Sequence, residues 1–273
     1  MFKKTSCLLI ALLLVTPAVL FSQSEGKGHI DNWWSGSARL DSTDNFKFFA
    51  RARYNYSKMK GVISGEVQSG EVFLAARKGN FSNYSAYKID KMDLSLESIV
   101  SLSYVSTKHT LTDFITYDIS KAFFAESGFI WERDEAMLLK NRYNLYTGLG
   151  VSTVLVKKLK LSTLVALGWI DQDYTIAIDD FDLIKKAHAA YHIKLNFNYM
   201  ITPYLLFAGQ GDYFNNINES DRHRFSVDLN LSVFLVKHLS LVVGYNHRYD
   251  KDNERLGLIP DNSTFKIGIE VSI

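Results

Sequence analysis

A long hydrophobic run is missing from the sequence after residue 22, and the mean hydropathy is only −0.05. A helical membrane protein of this size would be far more apolar, with a run of roughly 20 apolar residues for each span. The composition therefore excludes a bundle of membrane-spanning helices. It does not exclude a membrane barrel, because barrel strands alternate apolar with polar residues and so have an ordinary average hydropathy.

The sequence also has little cysteine and almost no net charge. The single cysteine is Cys7, and the whole chain has 31 Lys+Arg against 29 Asp+Glu. Removal of Lys3 and Lys4 with a leader lowers the basic count to 29 (31 − 2), which leaves a formally neutral mature chain without thiols or disulfides. Because nucleic-acid binding needs an excess of basic residues, we expect no nucleic-acid partner.

The N-terminus has the order of a secretory signal peptide. Lys3 and Lys4 are followed by a mostly apolar run over residues 8–21 and then by small polar residues near Ser22 and Ser24. An uncleaved membrane anchor is the alternative, but the run is shorter than the roughly 20 residues that a spanning helix needs. We therefore predict a signal peptide over residues 1–22 and one barrel domain over residues 23–273.

Alternation with a period of two residues fills the rest of the chain. Within residues 139–155 one face is largely apolar, and the other carries Lys140, Arg142, Asn144, Tyr146 and glycines. Successive side chains of a strand point to opposite faces, so this pattern predicts a strand with one apolar and one polar face. The same alternation recurs six more times up to Ile273 and is clear again in residues 46–56.

Strand and connection lengths separate a barrel from a soluble β-sandwich, which would also alternate. The predicted strands span about 11 to 17 residues, against about 5 to 6 in ordinary sheets, and short turns alternate with longer polar connections. Short turns on one side and long loops on the other are typical of outer-membrane barrels. The sequence predicts an all-β, transmembrane, antiparallel up-and-down β-barrel of 12 strands, with 10 or 14 as alternatives because residues 61–78 form either one strand or two.

Closure of that barrel is a further prediction. An unpaired strand edge within hydrocarbon would cost several kcal/mol for each free backbone group. The last strand, residues 264–273, is therefore expected to pair antiparallel with residues 46–56, bringing Lys266 and Glu270 towards Arg51 and Arg53. Pairing with residues 34–40 instead would mean a different strand count.

Short motifs resemble an outer-membrane family classified as a domain of unknown function, which includes a salt-induced outer membrane protein. The motifs are Trp34-Ser35-Gly36-Ser37, Gly79-Asn80-Phe81-Ser82, the stretch from Glu132-Arg133-Asp134 through Arg142 to Gly148-Leu149-Gly150, and the stretch from Tyr245 to Ser272. The resemblance covers roughly residues 70–273 and implies a barrel without implying an activity. The chain ends in Ile273, whereas many outer-membrane barrels end in an aromatic residue that the assembly machinery reads.

Charged residues on the polar faces are predicted to line the lumen. They are Lys47, Arg51, Arg53, Lys140, Arg142, Lys194, Asp212, Asp228, Arg248, Lys266 and Glu270. Such side chains either pair across the lumen and plug it or line a narrow pore. The sequence leaves both alternatives open.

Catalytic and metal motifs are weak. Asn246, His247 and Asp250, with a serine from a neighbouring strand, form a faint hydrolase candidate that lacks a nucleophile motif. His188 and His192 would lie about 13 Å apart on one strand face, which favours interior packing over metal binding. Acidic residues in the connection over residues 171–186 could bind Ca²⁺, but a solvated loop is favoured because the glycine and terminal glutamate of a Ca²⁺ loop are absent.

These observations favour a non-enzymatic barrel of the bacterial outer membrane, either envelope-structural or a small-solute channel. An outer-membrane lipid hydrolase is the alternative, and lipid turnover lost on His247→Ala would favour it. We expect outer-membrane lipid, lipopolysaccharide and the assembly machinery as partners, with a small solute in the channel case. We expect no cofactor and no metal, and both termini of the mature chain in the periplasm.

Overall fold

The computed structural model describes residues 43–59, 63–97, 101–156, 158–175, 187–219, 221–236, 238–257 and 260–273. The predicted signal peptide, the alternative strand over residues 34–40 and most of the acidic connection lie outside these residues. Among the described residues, no helix is long and apolar enough to cross a membrane.

Twelve antiparallel strands form a closed barrel in which each strand pairs with the strands before and after it in the chain. The strands are β1 Thr43–Met59, β2 Ile63–Gly79, β3 Phe81–Glu97, β4 Ser101–Asp118, β5 Phe123–Asp134, β6 Leu139–Val156, β7 Leu159–Tyr174, β8 Ala187–Thr202, β9 Leu205–Asn216, β10 His223–Val236, β11 Leu239–Asp250 and β12 Asp261–Ser272, with a short helix, α1 Lys251–Arg255, between β11 and β12. The predicted fold class and the preferred count of 12 strands are confirmed, and residues 63–78 fall within one strand, β2. Residues 61 and 62 lie outside the described residues.

Closure occurs at the predicted seam. β12 pairs antiparallel with β1, with Arg53 opposite Glu270 and Tyr56 opposite Ile267. β12 also pairs with β11. The last strand therefore has no open edge, as the cost of unpaired backbone groups in hydrocarbon requires.

The two ends of the barrel differ in their connections. We call the end with the tight connections at Asn80, residues 119–122 and residues 203–204 the turn end, and the opposite end, where α1 lies, the loop end. The connection predicted to begin at Asp171 begins later, because β7 continues to Tyr174 through pairs such as Tyr143 with Asp171.

The outer wall carries the pattern of a membrane-spanning surface. Large apolar side chains are exposed around the whole barrel, including Phe48, Leu149, Leu167, Phe265 and Ile269. Aromatic side chains are enriched on the outer wall at both ends: Tyr87, Trp131, Tyr143, Tyr213 and Tyr249 towards the loop end, and Phe81, Tyr117, Phe123, Tyr199 and Tyr204 towards the turn end. An apolar band between two aromatic girdles is the outer surface of a transmembrane barrel.

Substitution of Leu229 by arginine is expected to destabilise the barrel by about 2–4 kcal/mol, because this side chain lies near the middle of the outward face of β10. Leu235→Arg, on the same outward row at the turn end, is the matched control and is expected to cost about 0–1 kcal/mol. Urea titration of protein folded in liposomes measures both values. Equal costs at the two positions would contradict the placement of Leu229 near the bilayer midplane.

Candidate functional site

An apolar layer fills the turn-end half of the barrel interior. Phe49, Phe73, Tyr84 and Phe114 come from the inward faces of β1 to β4 and are at most 7% exposed. Their rings follow one another around the wall, with centroids 6.1 Å apart for Phe49 and Phe73, 6.4 Å for Phe73 and Tyr84, and 4.7 Å for Tyr84 and Phe114. Apolar residues on an inward face are unexpected for a water-filled barrel, whose interior is polar.

Lys194 connects this layer to the opposite wall. From β8 its ammonium lies 4.0 Å from the centroid of Phe114 on β4, a cation–π contact, and 2.5 Å from Glu126 Oε1 on β5. The Tyr146 hydroxyl donates to the same carboxylate oxygen at 2.9 Å. The lumen is therefore bridged by side chains between β8 and β4–β6.

The remaining strands complete the filling. Buried inward side chains in this half also come from β5 to β12: Phe124, Tyr146, Leu164, Asn196, Leu206, Ser232, Val242 and Glu270. An ion pair between Arg77 and Asp118 lies nearer the turn end. All twelve strands thus contribute buried side chains, and the turn-end half of the described barrel is filled by its own residues.

A cavity of about 340 Å³ occupies the loop-end half, and we call it the vestibule. Eight of the predicted lumen residues line it: Arg51, Arg53, Arg142, Lys194, Asp212, Asp228, Arg248 and Lys266. Loop residues Met137, Asn253 and Pro260 also line it, which places its mouth at the loop end. Glu270 is buried below the vestibule, and Lys47 lies at the turn end opposite Arg77.

Lys140 was predicted on the inward face with Arg142, and the structure contradicts this placement. The pairing of β6 with β7 shifts register between Leu139 and Asn141. This irregularity leaves Leu139 buried, whereas the Lys140 side chain is 59% exposed and lies 3.3 Å from Asp173. A one-residue bulge moves a side chain to the other face, and uniform alternation in the sequence does not show where a bulge falls.

The vestibule is also lined by charged residues that were not predicted to face the lumen. They are Glu71, Lys88, Asp90, Lys108, Glu132, Asp134, Arg224 and Asp250. Extending the two-residue period through β2 to β5 would have found most of them, because they alternate with outward residues such as Val72 and Trp131. With them, nine cations and seven carboxylates line the vestibule.

Ion pairs span the vestibule between distant strands. Arg142 on β6 lies 2.8 Å from Asp250 on β11, and Lys266 on β12 lies 3.1 Å from Asp90 on β3. Glu132 on β5 has Arg224 of β10 at 3.4 Å and Arg142 at 3.7 Å. Such pairs hold opposite walls together, and separating one partner would leave a charge poorly solvated.

A short helix covers part of the mouth. Asp252 of α1 accepts hydrogen bonds from Arg222 Nε at 2.8 Å, Arg222 Nη2 at 2.7 Å and Gln172 Nε2 at 2.8 Å. Burial would raise the pKa of Asp252, but the hydrogen bonds from Arg222 and Gln172 and the charge of Arg222 lower it below its usual value. The charged carboxylate thus anchors α1 to β7 and to the connection before β10.

The hydrolase candidate is not assembled as predicted. Asn246 donates to Asp228 and Asp250 binds Arg142, so both predicted partners of His247 are engaged with other vestibule residues. On the outer wall, His247 Nδ1 lies 2.8 Å from Ser263 Oγ and 3.2 Å from Asp261 Oδ1. A triad needs the acid and the nucleophile on opposite ring nitrogens, whereas here both lie at Nδ1. Backbone pairing of His247 with Ser263 places the serine within the β11–β12 ladder.

The residues considered for metal binding are the two histidines of β8 and the acidic residues after β7. His188 and His192 are both buried on the inward face of β8, and His192 stacks on Phe214 at 4.0 Å while its Nε2 lies 2.9 Å from Asp212. Among the described residues, no group of three or more His, Cys, Asp or Glu residues is placed to hold a metal ion. In the acidic connection, Asp173 pairs with Lys140, and Asp179, Asp180 and Asp182 lie outside the described residues.

Comparison with known proteins gives a family match. The family model described as a protein of unknown function, DUF481, matches residues 40–273, which confirms the resemblance and extends it towards the N-terminus. No curated protein matches the chain.

Several solved structures are similar in fold. A NanC porin is 11% identical, with a TM-score of 0.49 over 82% of this chain and 99% of that chain. An outer membrane channel from Pseudomonas putida F1 is 12% identical, with a TM-score of 0.48 over 83% and 95%. The translocator domain of the autotransporter NalP from Neisseria meningitidis is 12% identical, with a TM-score of 0.47 over 97% of each chain.

Proposed function

We propose that this chain, which belongs to the family of proteins of unknown function DUF481, is a non-enzymatic barrel that is closed at rest and stabilises the outer membrane. The observation that carries this proposal is the filled turn-end half of the interior. Phe114, Lys194 and Glu126 meet there across the lumen, and all twelve strands contribute buried side chains.

A filled lumen supports a structural role for a physical reason. A conducting barrel keeps a continuous path for water, whereas here the path would have to cross the layer of Phe73, Tyr84 and Phe114. The same layer, with the ion pairs above it, adds packing contacts inside the wall. The interior packing therefore adds to the stability that the apolar outer wall gains in the bilayer.

The proposed orientation puts the turn end in the periplasm. Thr43 and Ser272, the first and last strand residues, both lie at that end, and short turns are periplasmic in outer-membrane barrels. The loop end, α1 and the mouth of the vestibule would then face outwards. The apolar wall and its girdles would contact outer-membrane lipid, with lipopolysaccharide at the loop end.

A small-solute channel is the second candidate, and the vestibule favours it. Its volume of about 340 Å³ admits a small molecule from the loop end. Passage onwards would require Lys194 to leave Glu126 and the rings beside it to rotate. In that case the barrel would conduct only after a stimulus.

Planar-bilayer recording decides between the two candidates. Purified wild-type protein is expected to insert without producing stable conductance steps, because its lumen is filled. A triple variant, Phe73→Ser, Tyr84→Ser and Phe114→Ser, removes three of the four rings of the layer, leaving Phe49, and is expected to conduct. Phe81→Ser, which changes an exposed ring on the outer wall, is the matched control and is expected to produce no conductance steps.

Stable, uniform conductance steps from the wild-type protein would contradict the closed-barrel proposal and favour the channel. Silence of the triple variant would also count against it, provided that the variant is folded. Heat-modifiable migration on gels reports folding of each variant independently of conductance.

A further inference from the structure

The vestibule contains one arginine that is paired differently from the others. Arg53 lies 2.5 Å from Glu270, and Arg142 lies 2.8 Å from Asp250. Arg224 lies 3.4 Å from Glu132 and donates a hydrogen bond to Asn144 Oδ1 at 2.6 Å. Arg248, in contrast, has Glu132 at 3.9 Å as its carboxylate contact. Its Nε is buried and has no hydrogen-bond partner among the described residues.

An unpartnered guanidinium nitrogen inside a protein is costly. A buried donor without an acceptor loses the hydrogen bond that it would have made with water. Arg248 also lines an open cavity, and its side chain is 26% accessible, so an acceptor that enters the vestibule can reach the exposed part of its guanidinium. The planar fork of a guanidinium matches the two oxygens of a carboxylate, and such bidentate pairs are among the strongest hydrogen bonds in proteins.

Two lysines extend the positive charge around Arg248. Lys88 Nζ and Lys266 Nζ lie 3.5 Å and 3.1 Å from the two oxygens of Asp90, so they share one carboxylate. Arg248 lies within electrostatic range of Lys88, Asp90 and Lys266. Asp228, Glu132 and Asp134 lie within the same electrostatic range of Arg248. What favours an additional anion is therefore the excess of nine cations over seven carboxylates across the whole vestibule.

We propose that the vestibule is a binding site for a small organic carboxylate, with Arg248 as its bidentate contact and Lys88 and Lys266 supplying further positive charge. The volume of about 340 Å³ is at the lower end for small-molecule sites, which limits the ligand to a small molecule. The mouth at the loop end gives it a path of entry.

Acetate binding to the purified protein in detergent tests this inference. Saturation-transfer NMR on acetate is expected to show saturable binding to the wild-type protein. Arg248→Gln is expected to weaken it about tenfold or more, because two charge-assisted hydrogen bonds are lost. Arg248→Lys keeps the charge without the fork and is expected to bind with intermediate strength.

The matched control is Arg133→Gln. Arg133 is an exposed arginine on β5 whose side chain is 51% accessible and pairs with Glu135. Its loss is expected to leave acetate binding unchanged. The nearest ion pair of Arg248 is the 3.9 Å contact with Glu132, so Arg248→Gln is expected to fold, and heat-modifiable migration checks this.

Three results would overturn the proposal: no saturable acetate binding, equal binding to Arg248→Gln and the wild-type protein, or Arg248-dependent binding of inorganic phosphate without binding of acetate. Equilibrium binding does not depend on conductance. Failure of this inference is therefore distinguishable from failure of the closed-barrel proposal, which bilayer recording tests.

Discussion

Replacing Glu270 by alanine is expected to lower the free energy of unfolding by about 3–5 kcal/mol, because removal of one partner leaves buried charges uncompensated. The Glu270 side chain is fully buried, and its Oε2 lies 2.5 Å from Arg53 Nη2 and 3.5 Å from Arg51 Nε. Among the described residues, Arg53 would keep a hydrogen bond from its Nη1 to the side-chain oxygen of Asn230 at 3.1 Å.

The position of Glu270 at the closing seam places this loss where the barrel is joined. Glu270 stands directly opposite Arg53 where β12 closes onto β1, and that seam joins the two ends of the chain. Arg51 retains Glu71 at 2.5 Å, so the uncompensated charge falls mainly on Arg53. Glu270→Ala is therefore expected to weaken the pairing of β12 with β1.

Urea titration in liposomes measures the effect, with Glu66→Ala as the matched control. Glu66 lies 3.3 Å from Lys58 in an exposed pair with side chains 42% and 54% accessible. Exposed pairs contribute little to stability, so its midpoint is expected to remain unchanged. Glu270→Gln separates loss of charge from loss of volume and is expected to be nearly as unstable as Glu270→Ala. Equal midpoints for Glu270→Ala and Glu66→Ala would refute a role of this carboxylate in closure.

Replacing Asp252 by alanine is expected to release α1 from the mouth of the vestibule. The carboxylate accepts three hydrogen bonds from Arg222 and Gln172, and both Asp252 and Arg222 are buried. Breaking a buried pair costs about 3–5 kcal/mol, which is enough to leave a five-residue helix mostly detached. The vestibule would then open more widely at the loop end.

Acid is expected to release α1 in the same way. The pKa of Asp252 is lower in the folded protein than in the unfolded chain, because the hydrogen bonds and charge of Arg222 outweigh burial. The stabilisation is therefore complete above the unfolded pKa, about pH 4, and is lost as the pH falls through the folded pKa. At neutral pH the helix stays anchored.

A spin label at Glu254→Cys reports the state of α1, because the mature chain is expected to contain no other cysteine. The label is expected to be immobile at neutral pH in the otherwise wild-type protein, and mobile in Asp252→Ala or at a pH well below about 4. Glu135→Ala removes an exposed carboxylate from another loop and serves as the control. An immobile label in Asp252→Ala at neutral pH would rule out the anchoring role.

The sequence by itself determined the barrel. Alternation with a period of two needs only local information, and hydrocarbon forbids an open strand edge, so strand type and the β1–β12 seam followed without coordinates. The sequence favoured 12 strands but left 10 or 14 open. Residues 61–78 were ambiguous for a physical reason. β2 buries Phe73 and Ala75 inward while Val72 faces outward, so the interior layer makes both faces apolar and weakens the alternation.

Only the tertiary structure decided how the interior is used. Lys194 and Glu126 are 68 residues apart, and Lys266 and Asp90 are 176 apart, so alternation places each charge inside without choosing its partner. The bulge at Leu139 moved Lys140 to an exposed position because it depends on the register with β7. Arg142 has a close carboxylate, whereas the Nε of Arg248 has no partner among the described residues. This contrast arises from distances across the closed barrel. Those distances are set when twelve strands close at one diameter, since the walls then approach closely enough for side chains to meet.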